Sequence, residues 1–141
     1  MKSTIAVILA TIILTIACSE EESFRISSTE AYAFSLEHGW ELNANANVDG
    51  FKQNEDENGE FSAKLSYFLH LVTPNNDTLF EADYGYIDKH ESEEMMGIQI
   101  ESFMEIDSSF STGSYKIIFD VTDDYTQKNV TAEKIFDLTK E

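Results

Sequence analysis

Carboxylates are the residues of this chain most able to do chemistry, and the chemistry they fit is calcium binding. Ca²⁺ takes six to eight oxygen ligands, which protein loops supply as carboxylates and backbone carbonyls. Acidic clusters occur at residues 55–57, at 91–94 and at Asp120, Asp123 and Asp124. The last three lie at one end of a predicted hairpin, where they could converge, so they are the calcium candidates. The chain has no Asp-x-Asp-x-Asp-Gly loop, and the alternative is a solvated loop of mutually repelling charges.

Catalytic residue types are present, but no catalytic pattern is. Of the three histidines, His70 falls in a predicted strand, while His38 and His90 fall in predicted loops. Nucleophilic catalysis requires a nucleophile, a base and an orienting group that converge. The chain contains no Gly-x-Ser-x-Gly motif, no His-Glu-x-x-His motif and no phosphate-binding glycine loop. The sequence therefore favours a protein that is not an enzyme and has no cofactor beyond the calcium considered above.

Three tyrosines are candidate contact residues for a partner. Tyr84 and Tyr86 flank Gly85 at the end of a predicted strand, and Tyr125 lies in a predicted turn. Aromatic side chains at strand edges and in loops are frequent anchors of interfaces. The alternative for Tyr84 and Tyr86 is that at least one of the two rings packs in the core.

Composition excludes several classes of protein. The 141 residues hold 27 Asp and Glu against 9 Lys and Arg, a formal net charge of −18 at pH 7. Nucleic-acid phosphates would repel such a chain, which excludes a nucleic acid as partner. The single cysteine cannot form an internal disulfide, and no Cys/His set remains for a structural zinc site. The length fits one domain.

The first 17 residues differ in composition from the rest. Lys2 is their only charge, and an uncharged, mostly apolar run extends from Ile5 to Ile16. A membrane-spanning helix needs about 20 apolar residues, whereas the apolar part of a secretory signal needs about 7–15. We therefore predict that residues 1–17 are a signal peptide; the alternative is a buried core helix.

The only cysteine lies where such a segment would be cut. Thr15-Ile16-Ala17-Cys18 resembles the lipobox of bacterial lipoproteins, with a small residue directly before the cysteine, although Leu14 lies one place upstream of the family's usual leucine. The resemblance implies cleavage between Ala17 and Cys18 and acyl chains, such as palmitate, on the sulfur and amine of Cys18. Several acyl chains hold a protein on a bilayer almost permanently. The alternative is an unmodified cysteine in an ordinary signal peptide.

The residues after the cysteine carry a second resemblance. Ser19-Glu20-Glu21-Glu22 resembles the serine-acidic export signal that follows the lipidated cysteine in some Gram-negative bacteria. It implies a lipid-anchored protein of the outer membrane, exposed at the cell surface, with residues 18–23 as lipidated cysteine and acidic tether. Acidic runs are otherwise usually solvated spacers, and the alternative location is the periplasmic leaflet.

The remainder, residues 24–141, has a hydrophobic period of two and is predicted to be one all-β domain. Alternation of apolar and polar residues is typical of half-buried strands. Polar turns such as Pro74–Asp77 separate about seven predicted strands, at 24–36, 40–48, 61–73, 78–86, 98–106, 115–122 and 130–138. The alternative for the first of these segments, 24–36, is that it contains a helical turn. An acidic loop is predicted around residues 90–94. Because such short connections leave no room for helical crossovers, we predict an antiparallel sandwich.

The last third of the chain resembles the final hairpin of Ig-like or fibronectin-III-like bacterial domains. In those domains a Gly-x-Tyr motif opens the penultimate strand, as Gly113-Ser114-Tyr115 does here. The resemblance implies an Ig-like antiparallel β-sandwich in which Tyr115 is the tyrosine-corner residue, its hydroxyl bonded to backbone a few residues upstream. Ile117 stands in place of the second Ig cysteine, and Trp40 precedes the third strand, so the disulfide-free branches are favoured. The alternative fold is a small lipocalin-like β-barrel.

These observations lead to two functional expectations. The first is a non-catalytic binding, adhesion or accessory module of an envelope complex, held on the membrane by its lipid anchor, with a protein or glycan partner at the cell surface. The alternative is a lipocalin-like carrier of a small apolar ligand. A carrier needs an interior cavity lined by Phe and Leu, whereas a sandwich fills that volume with packed side chains.

Overall fold

The computed structural model describes residues 23–140, so the predicted signal peptide, Cys18 and the Ser19–Glu22 signal lie outside the described residues. Within residues 23–140 the structure has eight β-strands and no helix, which confirms the predicted all-β fold. The strands are β1 (Arg25–Leu36), β2 (Gly39–Asp49), β3 (Asn54–Glu55), β4 (Phe61–Val72), β5 (Thr78–Glu91), β6 (Ile98–Asp107), β7 (Gly113–Asp123) and β8 (Lys128–Leu138).

Two antiparallel sheets make up the sandwich. Sheet A has the order β1-β2-β6, and sheet B has the order β5-β4-β7-β8. The short strand β3 pairs with the first residues of β4. Because β5 pairs with one edge of β4, β3 lies on the other edge, which pairs with β7 from Leu65 onward. The predicted Ig-like antiparallel sandwich is confirmed, and the alternative of a closed β-barrel is wrong.

The core lies between the two sheets and follows the predicted alternation. Successive side chains of a strand point to opposite faces, so every second residue is buried. The central strands supply most of these residues: Leu42, Ala44, Ala46 and Val48 from β2, Leu65, Leu69 and Leu71 from β4, and Ile117, Phe119 and Val121 from β7.

Tyr115 forms the tyrosine corner that the sequence predicted. Its ring is buried and stacks on Phe136, with ring centroids 5.9 Å apart. Its hydroxyl donates to the backbone carbonyl of Ser111 at 2.7 Å. This bond fastens the connector after β6 to the beginning of β7, which fixes where β7 enters sheet B.

The end of β5 differs from the prediction. β5 continues past Tyr86 to Glu91, so His90 lies in a strand opposite Ser62 rather than in a loop. The extension carries charges that find cross-strand partners, since Lys64 Nζ lies 3.1 Å from the carboxylate of Asp88. Opposite charges on neighbouring strands stabilise a sheet, and this pairing outweighs the polar composition that predicted a loop.

Candidate functional site

The three aspartates predicted as calcium ligands do not converge on one point. Asp123 continues the inward alternation of β7 and is only 1% exposed. One of its carboxylate oxygens accepts the backbone N–H of Lys52 at 2.8 Å. The other accepts the N–H of Tyr125 at 2.9 Å and of Thr126 at 3.3 Å. Asp123 therefore caps the β7–β8 turn and fastens it to the loop after β2.

The other two aspartates are bonded on the outer face of sheet B. Ser66 Oγ donates to both carboxylate oxygens of Asp124, at 2.8 and 2.7 Å, and Asn129 donates to Asp120. Within residues 23–140 no group of three His, Cys, Asp or Glu side chains is placed to hold a metal ion. The structure thus offers no ligand set for calcium at these positions.

Two of the three histidines are hydrogen-bonded to neighbouring groups, whereas His38 lies exposed in the turn between β1 and β2, 3.8 Å from the carboxylate of Glu37. His70 Nδ1 accepts the N–H of Glu81 at 2.9 Å, and its Nε2 lies 3.8 Å from Asp120. His90 bridges Glu60 at 3.0 Å and Asp88 at 3.1 Å. The hydrogen bond to Glu60 is the main cause that raises the pKa of His90, and the hydrogen bond to Asp88 acts in the same direction. In the described part of the chain no serine hydroxyl is hydrogen-bonded to a histidine.

The tyrosines predicted as contact residues fall into two environments. Tyr84 and Tyr86 are 71% and 57% exposed on the outer face of sheet B, so the alternative that one of them packs in the core is wrong. Tyr125 is half-buried in the β7–β8 turn, where its hydroxyl lies 2.9 Å from Ser62 Oγ. Of these three tyrosines, Tyr84 and Tyr86 present most of their rings to solvent and Tyr125 does not.

Gly85 explains why both of these tyrosines face outward. It lies opposite Tyr67 on β4 and points to the inner face, where a Cβ on Gly85 would overlap the Tyr67 ring. The glycine therefore leaves room for a half-buried tyrosine from the neighbouring strand. Because side chains alternate along a strand, the residues on either side of Gly85 must point away from the core.

Two phenylalanines extend the exposed surface formed by the tyrosines. Phe68 is the cross-strand partner of Tyr84, and their ring centroids lie 6.4 Å apart. Phe80 precedes Tyr84 on β5, and its ring meets that of His70 edge to face with 5.5 Å between centroids. A register shift of β5 opposite His70, with Glu81 at φ 54°, sets the position of Phe80. We call Phe68, Phe80, Tyr84 and Tyr86 the aromatic face of sheet B.

Comparison with models of known protein families, and with curated proteins, found no match for this chain. In residues 23–140 there is no helix with the length and apolar character needed to cross a membrane.

The aromatic face has a polar border and lies at a sheet edge. Asp88 and Lys64 pair next to Tyr86, and Asp120 lies opposite Phe68 on β7. Hydrogen bonding to Lys64 lowers the pKa of Asp88. Among the described strands β5 pairs only with β4, so its second backbone edge is open. Exposed rings beside an open edge and hydrogen-bonding groups suit binding of another molecule.

Surface depressions are a second type of candidate site. One of about 500 Å³ is lined by residues 112–114 and 137–140, at strand ends, and one of about 320 Å³ is lined by 89 and 91–97. Neither is an interior cavity lined by Phe and Leu, which the carrier hypothesis requires. The residues that line the second are mostly acidic or polar, which does not suit an apolar ligand.

Sequence reasoning named two members of the aromatic face and missed Phe68 and Phe80. Phe68 lies on the outward face of β4. The contact of Phe68 with Tyr84 depends on the β4–β5 register, and the position of Phe80 depends on the register shift opposite His70. The Tyr-Gly-Tyr spacing was the available signal, because the two rings share one face of any strand that contains it.

Proposed function

We propose that this protein is a lipid-anchored, non-catalytic binding module of a bacterial outer membrane, acting at the cell surface in adhesion or as an accessory subunit of an envelope complex. The observation that carries the binding function is the aromatic face, where four large rings lie exposed together on one side of a sheet. Its partner is a protein or a glycan at the cell surface.

The physical argument rests on rigidity and exposure. Tyrosine and phenylalanine bury a large apolar area when a partner covers them, and tyrosine adds a hydroxyl for hydrogen bonding. The rings stand on paired strands, and the contact between Phe68 and Tyr84 restricts both before any partner arrives. Little conformational freedom is lost on binding, which favours affinity.

The anchor is supported by Thr15-Ile16-Ala17-Cys18 and by the Ser19–Glu22 run. The described chain enters β1 at the end of the sandwich that also holds Asp49 and the β7–β8 turn. With a tether attached at this end of the strands, the aromatic face points sideways, perpendicular to the strands. A partner beside the module could then reach it without meeting the membrane first.

Lipid attachment is tested by replacing the thiol. In cells fed a labelled fatty acid, we expect Cys18→Ser to abolish labelling and to leave residues 1–17 attached, because both processing steps need the cysteine. The matched control Ser19→Ala should keep the label and the shortened N-terminus. Equal labelling of wild type and Cys18→Ser, or cleavage of the variant at the same bond, would rule out the anchor.

Binding is tested by crosslinking on intact cells followed by identification of the captured protein or glycan. Replacing Tyr84 and Tyr86 together with serine should weaken capture by about tenfold or more, since exposed aromatic anchors each contribute on the order of 1–2 kcal/mol. Ile135→Ser is the control, because Ile135 is also exposed on the outer face of sheet B, but on the opposite edge strand. Unchanged capture by the tyrosine variant, with its thermal unfolding intact, would contradict the proposal.

A further inference from the structure

The two sheets differ sharply in charge. Within residues 23–140, each lysine that lies in a strand belongs to sheet B: Lys64, Lys89, Lys116, Lys128 and Lys134. Among the described strands of sheet A the only basic side chain is Arg25, at one end, where it lies 3.5 Å from Asp49. The remainder of sheet A therefore carries its carboxylates without neighbouring cations in its own strands.

Those carboxylates lie on the outer face of sheet A. Glu30 of β1, Glu41 of β2 and Glu101 and Glu105 of β6 all occupy outward positions of the alternation. Glu41 and Glu105 are directly opposite each other in the β2–β6 pairing. Like charges in that position destabilise a sheet, so the pair costs stability in the isolated protein.

Exposed aromatic rings share this face with the carboxylates. The register places Tyr32 and Phe103 on either side of Asn43, and Phe34 beside Glu41. The Tyr32 and Phe34 rings meet edge to face with centroids 5.4 Å apart, and Phe103 is 67% exposed. Phe34 and the directly opposed Glu41 are thus separated by about one strand spacing, roughly 5 Å.

Asn43 orders the centre of this surface. It is only 6% exposed although its position in β2 is an outward one, between Tyr32 and Phe103. Its side-chain amide donates to Glu41 Oε1 at 3.1 Å. The hydrogen bond holds the Glu41 carboxylate next to the aromatic rings, in a defined place.

We infer that the outer face of sheet A binds a protein segment bearing Lys or Arg side chains. The surface comprises Glu30, Tyr32, Phe34, Glu41, Asn43, Glu101, Phe103 and Glu105, and we call it the acidic face. A cationic side chain gains from a carboxylate and from the face of an aromatic ring at the same time. It would also relieve the repulsion between Glu41 and Glu105.

Charge complementarity decides between the conceivable occupants. A second copy of the chain carries the same strongly negative charge, so it would be repelled. A neutral glycan could stack on the rings but would leave the opposed carboxylates unneutralised. The acidic face and the aromatic face belong to opposite sheets, so this inference goes beyond the proposed function and stands on separate residues.

The test measures binding of two synthetic peptides to the full-length protein, purified in detergent, by titration calorimetry. One peptide alternates lysine and serine over ten residues, and the other has glutamine in place of each lysine. We expect the lysine peptide alone to bind. Glu41→Gln combined with Glu105→Gln should weaken it about tenfold, the effect of two lost ion pairs, and should raise the midpoint of thermal unfolding.

A charge-matched control separates a site from general attraction. Glu93→Gln combined with Glu94→Gln removes the same charge from an exposed loop and should weaken binding less than about twofold, because salt screens charges that are not in contact. Phe103→Ser should weaken binding while leaving net charge unchanged.

Four results would overturn the inference: equal weakening by both glutamate pairs, no binding of the lysine peptide, equal binding of the glutamine peptide, or self-association or neutral-oligosaccharide binding that Phe103→Ser abolishes. None of them depends on Tyr84 or Tyr86, so failure here is distinguishable from failure of the proposed function.

Discussion

Gly39→Ala is expected to destabilise the folded domain by about 3–6 kcal/mol, combining backbone strain with overpacking. Gly39 is the first residue of β2 and has φ 132°, a backbone conformation that residues other than glycine rarely adopt. An added Cβ would overlap the carbonyl oxygen of Ile106 and lie 2.9 Å from the Cα of Asp107. These are backbone atoms of β6, the strand paired with β2, so they can move only if the sheet itself distorts. Urea unfolding, followed by the fluorescence of the adjacent Trp40, measures the loss.

Gly59→Ala is the matched control for this prediction. Gly59 also has a positive φ, of 80°, but a Cβ there would meet only Glu55 Oε1, at 3.9 Å. Only the left-handed backbone is then unfavourable, at about 1–2 kcal/mol. If Gly39→Ala were no more destabilising than Gly59→Ala, the close approach of β2 to β6 at this position would be wrong.

Asp123→Ala is expected to lower the free energy of unfolding by about 3 kcal/mol. The substitution removes a buried carboxylate and leaves the backbone N–H groups of Lys52 and Tyr125 without their acceptors. Hydrogen bonds to charged groups contribute about 1.5–3 kcal/mol, and an unpaired buried donor adds its desolvation cost. Because Asp123 joins two loops, hydrogen exchange at both amides should accelerate in the variant.

Asp124→Ala provides the comparison, since it removes the neighbouring carboxylate and the same charge. Its carboxylate accepts only from the Ser66 hydroxyl, on the outer face of sheet B. A loss of about 1 kcal/mol or less is expected for such a half-exposed bond. Equal losses in the two variants would mean that Asp123 does not fasten the turn to the loop after β2.

The fold was predictable where one face of a strand is buried and the other is solvated. In β2 and β7 the alternation of apolar and polar residues matched the buried and exposed positions, and Tyr115 made the hydrogen bond its motif implied. Asp123 belongs to the same alternation as Val121, yet its polarity and its neighbours predicted a turn. Its burial depends on N–H groups supplied by Lys52, which no local pattern reveals.

The binding surfaces were harder to predict because they depend on pairing register. In β1 the large residues Tyr32 and Phe34 face solvent while Ala31 and Ala33 pack against the core. A period of two is the same whichever parity faces inward. Small residues suit the inner side because β1 lies close to β8 at the edge where the sheets meet. The residues of the acidic face come together only through the registers of β1, β2 and β6, which the sequence alone does not reveal.

The layered arrangement of the sandwich has a mechanical consequence. The aromatic and acidic faces stand back to back on sheets about 10 Å apart, the usual spacing of packed sheets, and the close-packed core between them has low compressibility. Two partners engaged at once would be held apart by the thickness of the protein, as by a spacer without a hinge. Force applied to one partner would be transmitted to the other partner through a core that deforms little.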